Sequence, residues 1–126
     1  MAKEQSGSPQ RRVTRDVDVA ALSDLRDHPP RASVAFVDGA AVDLLPARAR
    51  CSADTYQFAV PAALAPDLTQ REVVLVIDDG PYWFQLRGLS VRGVAERLET
   101  AADGLIWYAI VPRRILAWDY GAIRVE

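Results

Sequence analysis

Short apolar runs separated by turn residues cover most of the chain. Residues 34–37 and 42–45 flank Asp38-Gly39, a dipeptide typical of tight hairpin turns. Residues 56–60 form a third apolar run. This pattern predicts three successive β-strands, of which the first two pair as a hairpin.

The middle of the chain carries a different strand pattern. Val73 to Ile77 is an unbroken apolar run rich in β-branched residues, which predicts a central strand covered on both faces. Strand patterns at 82–86 and 90–98 follow it. Gly93 lies inside the second of these and predicts a bend or a bulge there.

One more strand is predicted near the carboxyl end. Asp103-Gly104 has the composition of a turn, and residues 105–111 after it are mainly apolar. Proline lacks the N–H that a β-ladder needs, so we expect Pro112 to end this strand.

Helical signals are few. Asp16 is predicted to cap a short helix in which Val19, Leu22 and Leu25 recur every three residues, and Pro29-Pro30 ends it. Residues 61–70 predict a second, short helix that Pro66 interrupts. The polar residues 1–12 have no apolar periodicity and are predicted to be a flexible arm, so 13–126 are assigned to the folded domain.

Six of these seven runs are assigned to the predicted fold, which is a mainly β, six-stranded barrel with one or two short helices. Short strands in sequential order with glycine-containing turns favour closure into a barrel, because closure removes exposed sheet edges. A chain of 126 residues is the length of a single domain.

Composition and charge exclude several classes of function. Seventeen acidic against fifteen basic residues give a net charge of −2, and the sequence lacks a stripe of interleaved basic and aromatic residues, so we expect no nucleic-acid binding. No apolar run approaches the length of a membrane span or a signal peptide, so we expect a cytoplasmic protein without a membrane partner. Cys51 and His28 are each the only residue of their type, which argues against a metal centre and against catalytic triads. If the protein is an enzyme, a bound cofactor is expected to supply the chemistry.

Two motifs near the carboxyl end carry a resemblance to a known family. The run Arg87-Gly-Leu-Ser-Val-Arg-Gly-Val-Ala-Glu96 resembles a strand of the pyridoxamine 5'-phosphate oxidase-like, FMN-binding split-barrel family. Val111-Pro-Arg-Arg-Ile-Leu-Ala-Trp118 is similar to that family's late Pro-x-Arg-Ile-x-x-Trp motif, and Arg124 follows where the family also carries an arginine. The order of the predicted elements is similar as well, so the resemblance covers roughly residues 16–126.

The resemblance implies a fold and a function. The fold is a split β-barrel of Greek-key type whose homodimer holds two FMN molecules in grooves between the subunits, with deazaflavin F420 or haem replacing FMN in some branches. We therefore predict an FMN- or F420-dependent oxidoreductase that acts on a small organic substrate at the homodimer interface.

The sequence also departs from the family, and the departures keep an alternative open. Ala59 to Pro66 stands where the family has a Thr and a Ser-Arg-Lys cluster for the phosphate, and Gly88 stands where the oxidases have a flavin-contacting Gln. The chain also lacks the family's final His and Arg. These differences argue against genuine pyridoxamine phosphate oxidase activity. The alternative is a split-barrel binding or structural dimer without a cofactor.

Six residues are the candidate cofactor contacts, and no catalytic residue is assigned. Arg48 and Arg50 alternate with Ala49, so both point to one face of a strand and can grip a phosphate, with Ser52 as a further donor; the alternative is a solvated strand edge. The resemblance adds Arg87, Trp118 and Arg124.

The remaining aromatic and sulfur-containing residues have structural alternatives. Trp118 and Tyr120 are predicted to stack either on a flavin ring or on a partner subunit. Trp83 and Phe84 are expected to fill the core or a dimer interface. Cys51 is expected to be a small packed residue rather than a reactive thiol.

Overall fold

The computed structural model describes residues 13–14, 17–52, 54–80, 82, 86–120 and 124–125. Its six long strands are β2 Ala32–Asp38, β3 Ala41–Ser52, β4 Thr55–Pro61, β5 Glu72–Asp79, β6 Arg87–Thr100 and β7 Leu105–Asp119. A 3-10 turn, Val19–Leu22, leads into the helix α1, Ser23–Asp27. Two short strands, β1 Val13–Thr14 and β8 Arg124–Val125, pair with each other.

The six long strands close into an antiparallel barrel, which confirms the predicted fold class. The order around the barrel is β2-β3-β4-β7-β6-β5, with β5 returning to β2. Two three-stranded meanders, β2-β3-β4 and β5-β6-β7, are therefore joined edge to edge. The closed arrangement leaves none of the six long strands as a free edge.

The barrel interior is a single apolar core. Inward-facing residues alternate with outward-facing ones along each strand, as the pleat of a β-strand requires. Fully buried side chains include Phe58 and Tyr108, whose rings stack with centroids 5.3 Å apart. On β5, buried residues alternate with half-buried ones, so the prediction that both faces are covered holds fully only for the inner face.

The amino-terminal helical segment packs against the barrel core. Leu22 and Leu25 are buried in the core cluster, as the three-residue spacing predicts. The residue that caps the 3-10 turn is Asp18, whose carboxylate accepts a hydrogen bond from the Ala20 amide at 3.0 Å. The predicted cap, Asp16, lies outside the described residues.

The connection between β4 and β5 contains no helix, so the prediction of a short helix over 61–70 is wrong. The segment is a series of turns that includes Gln70 at φ 63°. Leu68 is its anchor: the side chain is fully buried, and its amide donates a hydrogen bond to the Tyr108 hydroxyl at 3.2 Å. Contacts with the core therefore replace helical hydrogen bonds in this segment.

Strands β6 and β7 meet at a bulge beside Gly93, which confirms the predicted irregularity. The register shifts between Arg92 and Gly93, so that Gly93 pairs with Pro112 and Arg113 is left without a partner in the ladder. A Cβ atom at Gly93 would lie 2.0 Å from the Val111 carbonyl oxygen, so only glycine fits. The prediction that Pro112 ends β7 is wrong, because the bulge accommodates the proline and the strand continues to Asp119.

Three further expectations concern 82–86, membranes and metals. Tyr82 and Leu86 are not in a strand, and 83–85 lie outside the described residues. Within the described part of the chain, no helix is both long and apolar enough to cross a membrane. The same residues contain no group of three or more His, Cys, Asp or Glu side chains placed to hold a metal ion.

Candidate functional site

Arg48, Arg50 and Ser52 project from the outer face of β3. Their exposure alternates with the half-buried Ala47, Ala49 and Cys51, so the three side chains share one face, as the sequence pattern predicts. An open groove of about 320 Å³ is lined by Arg50, Ser52, Thr55 and Gln57, whereas Arg48 lines a different groove. The predicted anion-binding residues are therefore together on the surface of the barrel.

Arg50 is held by three neighbours. Its guanidinium carbon lies 3.9 Å from the centre of the Trp107 ring, and its Nη2 donates to a Glu99 carboxylate oxygen at 2.7 Å. Its Nε donates to the Gln57 side-chain carbonyl. The guanidinium is thus oriented over an aromatic surface, and its Nη1 is not used in these hydrogen bonds.

Arg48 is held more loosely than Arg50. Its Nη1 lies 3.9 Å from an Asp103 carboxylate oxygen, and the side chain is 68% exposed. At this exposure the ion pair is weak, because water screens the charges. Arg48 is therefore held only weakly in its observed position.

The register of the sheet explains contacts that the sequence pattern did not reveal. Arg50 pairs with Gln57 across β3 and β4, and Trp107 pairs with Glu99 across β6 and β7. These residues come from four strands, so their proximity depends on how the barrel closes. The one signal of this arrangement in the sequence was that Trp107 and Tyr108 are adjacent, so that on a strand they face opposite sides, Trp107 outward and Tyr108 inward.

Arg87 lies in a separate cluster at the start of β6. Its guanidinium contacts the Asp79 carboxylate at 2.8 Å and the Asp24 carboxylate at 2.9 Å, which ties β6 to β5 and to α1. Hydrogen bonds to Asp79 and then Asp24 raise the pKa of Arg87. The hydrogen bond from Arg87 lowers the pKa of Asp24. These contacts give Arg87 a structural role, while its predicted cofactor contact stays a prediction.

Trp118 lies against Gly88 on the outer face of β6 and β7. The two residues pair across the strands, and a Cβ atom at Gly88 would lie 2.2 Å from the Trp118 Cζ2 atom. The indole therefore occupies the space that a side chain at position 88 would need. This is the position where the resemblance places a flavin-contacting Gln.

The candidate residues do not form one site within the chain. Trp107 and Trp118 are separated by eleven positions along β7, a path of roughly 36 Å along the strand at the usual rise of about 3.3 Å per residue. The predicted phosphate contact, Arg50, and the predicted ring contact, Trp118, therefore lie near opposite ends of β7 in one chain.

Some of the other predicted contact residues lie outside the described part of the chain. Only the backbone of Arg124 is described, in β8, and Trp83 and Phe84 lie outside the described residues. The Tyr120 amide donates to the Leu86 carbonyl at 2.8 Å. Cys51 is half-buried and points inward, and burial raises the pKa of its thiol, which fits a packed residue.

Comparison with solved structures finds the same fold in flavin-binding proteins. An FAD-binding protein from Mycobacterium smegmatis superposes with a TM-score of 0.64 at 17% identity, over 84% of this chain and 97% of that one. A candidate pyridoxamine 5'-phosphate oxidase from Corynebacterium glutamicum gives 0.60 at 15% identity, over 84% and 96%. An FAD- and haem-binding protein from Mycobacterium smegmatis gives 0.62 at 13% identity, over 85% and 72%.

No protein-family model matches the sequence, and no curated protein shows significant similarity to it. The structural likeness covers most of the chain at low identity, so it bears on the fold rather than on the activity. The chain is therefore a split β-barrel of the kind found in flavin-binding and pyridoxamine 5'-phosphate oxidase-like proteins.

Proposed function

We propose that the protein binds a flavin-type cofactor, FMN or F420, and uses it as an oxidoreductase on a small organic substrate at a homodimer interface. The observation that carries this proposal is the shared outward face of Arg48, Arg50 and Ser52, of which Arg50 and Ser52 line an open groove. Structural neighbours named as FAD-binding proteins support a flavin-type ligand.

The residues on β3 fit the phosphate of such a cofactor. Two guanidinium groups and a hydroxyl can donate charge-assisted hydrogen bonds to a single phosphate. Trp107 beneath Arg50 fixes the guanidinium plane, so less side-chain entropy is lost when the anion binds. These donors would compensate for the stretch 59–66, which offers no charged or hydroxyl side chain.

A homodimer is part of the proposal because of the distance along β7. Arg50 contacts Trp107 near one end of β7 and Trp118 lies near the other end, whereas a second copy could bring its own Trp118 to the Arg50 of the first. Light scattering during gel filtration is the direct test, with twice the 13.9 kDa chain mass expected. A mass of one chain at all concentrations would contradict the dimer.

The chemistry would belong to the cofactor ring, which accepts or donates a hydride when bound. The protein's own residues would bind and orient it. Arg48, Arg50 and Ser52 would hold the phosphate, and Trp118 would pack against the ring. No residue of the chain is assigned a proton-transfer or nucleophilic role.

Cofactor titration tests the proposal. The purified protein is expected to be yellow or to quench the fluorescence of added FMN or F420. Riboflavin, which lacks the phosphate, should bind more weakly than FMN, and Arg50→Ala should remove this difference. Arg113→Gln, an exposed arginine at the bulge on β7, serves as the matched control. Absence of binding by both cofactors would overturn the proposal.

A substitution of Glu99 tests the same site and should have the opposite effect on FMN binding. Its carboxylate neutralises part of the charge of Arg50, so Glu99→Gln is expected to strengthen FMN binding a few-fold, a size typical of an exposed ion pair. Riboflavin binding should not change. Equal effects on both ligands would mean that the phosphate does not lie beside Arg50.

A cofactor-free dimer is the second candidate, and the Gly88–Trp118 contact favours it. The Trp118 indole fills the space beside position 88, and the Glu99 carboxylate already accepts a hydrogen bond from Arg50. In this case the protein would dimerise but bind neither FMN nor F420. The combined result of light scattering and cofactor titration therefore separates the two candidates.

A further inference from the structure

Two arginines face each other on the outer surface of the barrel, far along β7 from Trp107. Arg92 of β6 and Arg114 of β7 are direct partners across the strands, and both side chains are exposed. Like charges that lie directly opposite each other destabilise an antiparallel pair. Among the described residues, none forms an ion pair with Arg114.

The bulge beside Gly93 adds a third arginine to this surface. Arg113 is the residue that the register shift leaves outside the ladder, and its Nη1 lies 3.8 Å from the Glu72 carboxylate. The same Glu72 oxygen lies 3.8 Å from Arg92 Nε. Glu72 therefore faces two of the three arginines, and these four side chains carry an excess of two positive charges in a chain whose net charge is −2. Bulges often re-aim side chains next to functional sites.

A small pocket lies between the opposed arginines. It has a volume of about 120 Å³ and is lined by Arg92, Arg114, Ser90, Val74 and Leu116. Ser90 faces outward two positions before Arg92, so its hydroxyl lies on the same surface. The pocket thus combines two guanidinium groups and a hydroxyl donor with apolar side walls.

We propose that this pocket binds the phosphate group of a phosphomonoester, separately from any flavin. Three donor groups around one pocket suit a tetrahedral anion with three free oxygens better than a planar carboxylate with two. A bound dianion would also cancel the local charge excess and relieve the repulsion between Arg92 and Arg114.

The neighbouring surface indicates what the rest of the ligand looks like. A larger groove of about 610 Å³ shares Val74 and Arg92 with the pocket and is lined mainly by apolar side chains, including Ala35, Val37 and Val42. The row of paired residues Ala35, Val74, Arg92 and Arg114 therefore runs from apolar to basic. The ligand we propose has an apolar body in the groove and its phosphate at the arginines.

Isothermal titration with 1-naphthyl phosphate tests this site on the full chain. The compound is expected to bind, inorganic phosphate to compete more weakly, and 1-naphthol to bind poorly. Arg114→Gln and Arg92→Gln should each weaken binding about 10- to 100-fold, the loss typical of one charge-assisted contact. Arg97→Gln, an exposed arginine on the same strand, should leave it unchanged.

A second measurement keeps the proposal testable if a variant folds poorly. Because Arg92 and Arg114 repel each other, Arg114→Gln should unfold at a slightly higher denaturant concentration than the wild type without ligand. Arg114→Lys should retain part of the binding, because lysine keeps the positive charge but lacks the planar guanidinium that donates two parallel hydrogen bonds.

Four results would overturn the proposal. The first is that 1-naphthyl phosphate does not bind, and the second is that 1-naphthoate binds equally well. The third is that Arg97→Gln loses as much affinity as Arg114→Gln. The fourth is that Arg114→Gln dissociates the protein into monomers although no phosphate binds. The last result would assign the arginines to contact with a second copy. Arg50 does not line this pocket, so Arg50→Ala should bind 1-naphthyl phosphate as the wild type does, and failure here is distinguishable from failure of the flavin proposal.

Discussion

The guanidinium carbon of Arg50 lies over the indole of Trp107, 3.9 Å from the ring centre, and covers an aromatic side chain on the outer face of the barrel. Trp107 is only 7% exposed although it is not part of the inner core cluster. The arginine therefore stabilises the sheet surface as well as offering charge.

Substitution of Arg50 should change the fluorescence emission of Trp107. Arg50→Ala is expected to expose the Trp107 indole to water, shift its emission to longer wavelength and lower the free energy of unfolding by about 1 kcal/mol, a usual value for a cation–π contact at a surface. Arg48→Ala, on the same face of β3, serves as the control and should leave the emission unchanged. An unshifted spectrum in Arg50→Ala would show that other residues cover the indole.

Gly88 is predicted to tolerate no side chain while Trp118 is present. Gly88→Ala places a methyl group inside the indole and should cost about 1–3 kcal/mol of unfolding free energy, as overpacking usually does. Urea denaturation measures this cost. In the Trp118→Ala background the same substitution should cost much less, and purely additive effects would contradict the contact.

Tyr108 is predicted to be needed for the turn segment between β4 and β5. Among the described residues, its hydroxyl is the only hydrogen-bond acceptor for the amide of the buried Leu68. Tyr108→Phe keeps the ring stacking with Phe58 but leaves that amide unsatisfied, which should cost about 1–3 kcal/mol. Faster hydrogen exchange at the Leu68 amide is the specific readout, and unchanged exchange would count against the assignment.

The Arg87 cluster predicts how stability depends on pH. Because the pKa of Asp24 is lowered in the folded protein, its contribution is present above the ordinary aspartate pKa of about 3.9 and is lost as the pH falls through the folded value. Arg87→Met should therefore destabilise the protein near neutral pH and flatten the loss of stability on acidification. Unfolding curves at several acidic pH values measure this. An equally steep acid dependence in Arg87→Met and the wild type would contradict it.

Asp24→Asn is the matched variant for this prediction. It removes the titrating carboxylate but leaves the Arg87–Asp79 ion pair, so it should flatten the acid dependence as Arg87→Met does while destabilising the protein less near neutral pH.

The hairpin at Asp38-Gly39, the alternation that places Arg48 and Arg50 on one face and the bend at Gly93 were all readable from the sequence. Each depends on local chemistry: a turn that accepts a positive φ, the two-residue period of a strand, or the absence of a Cβ atom. Local signals failed at 61–70 and at Pro112, where contacts with distant strands override the propensity of the segment.

Only the tertiary structure decided which residues meet. The pairing of β4 with β7 and of β6 with β7 brings Trp107 and Glu99 to Arg50, places Trp118 on Gly88 and sets Arg92 against Arg114. These contacts join residues far apart in the chain, and a shift of one residue in register would turn each side chain to the opposite face. The sequence alone thus determined the strands and the faces of their side chains, whereas barrel closure decided which charges are paired and which remain available to a ligand.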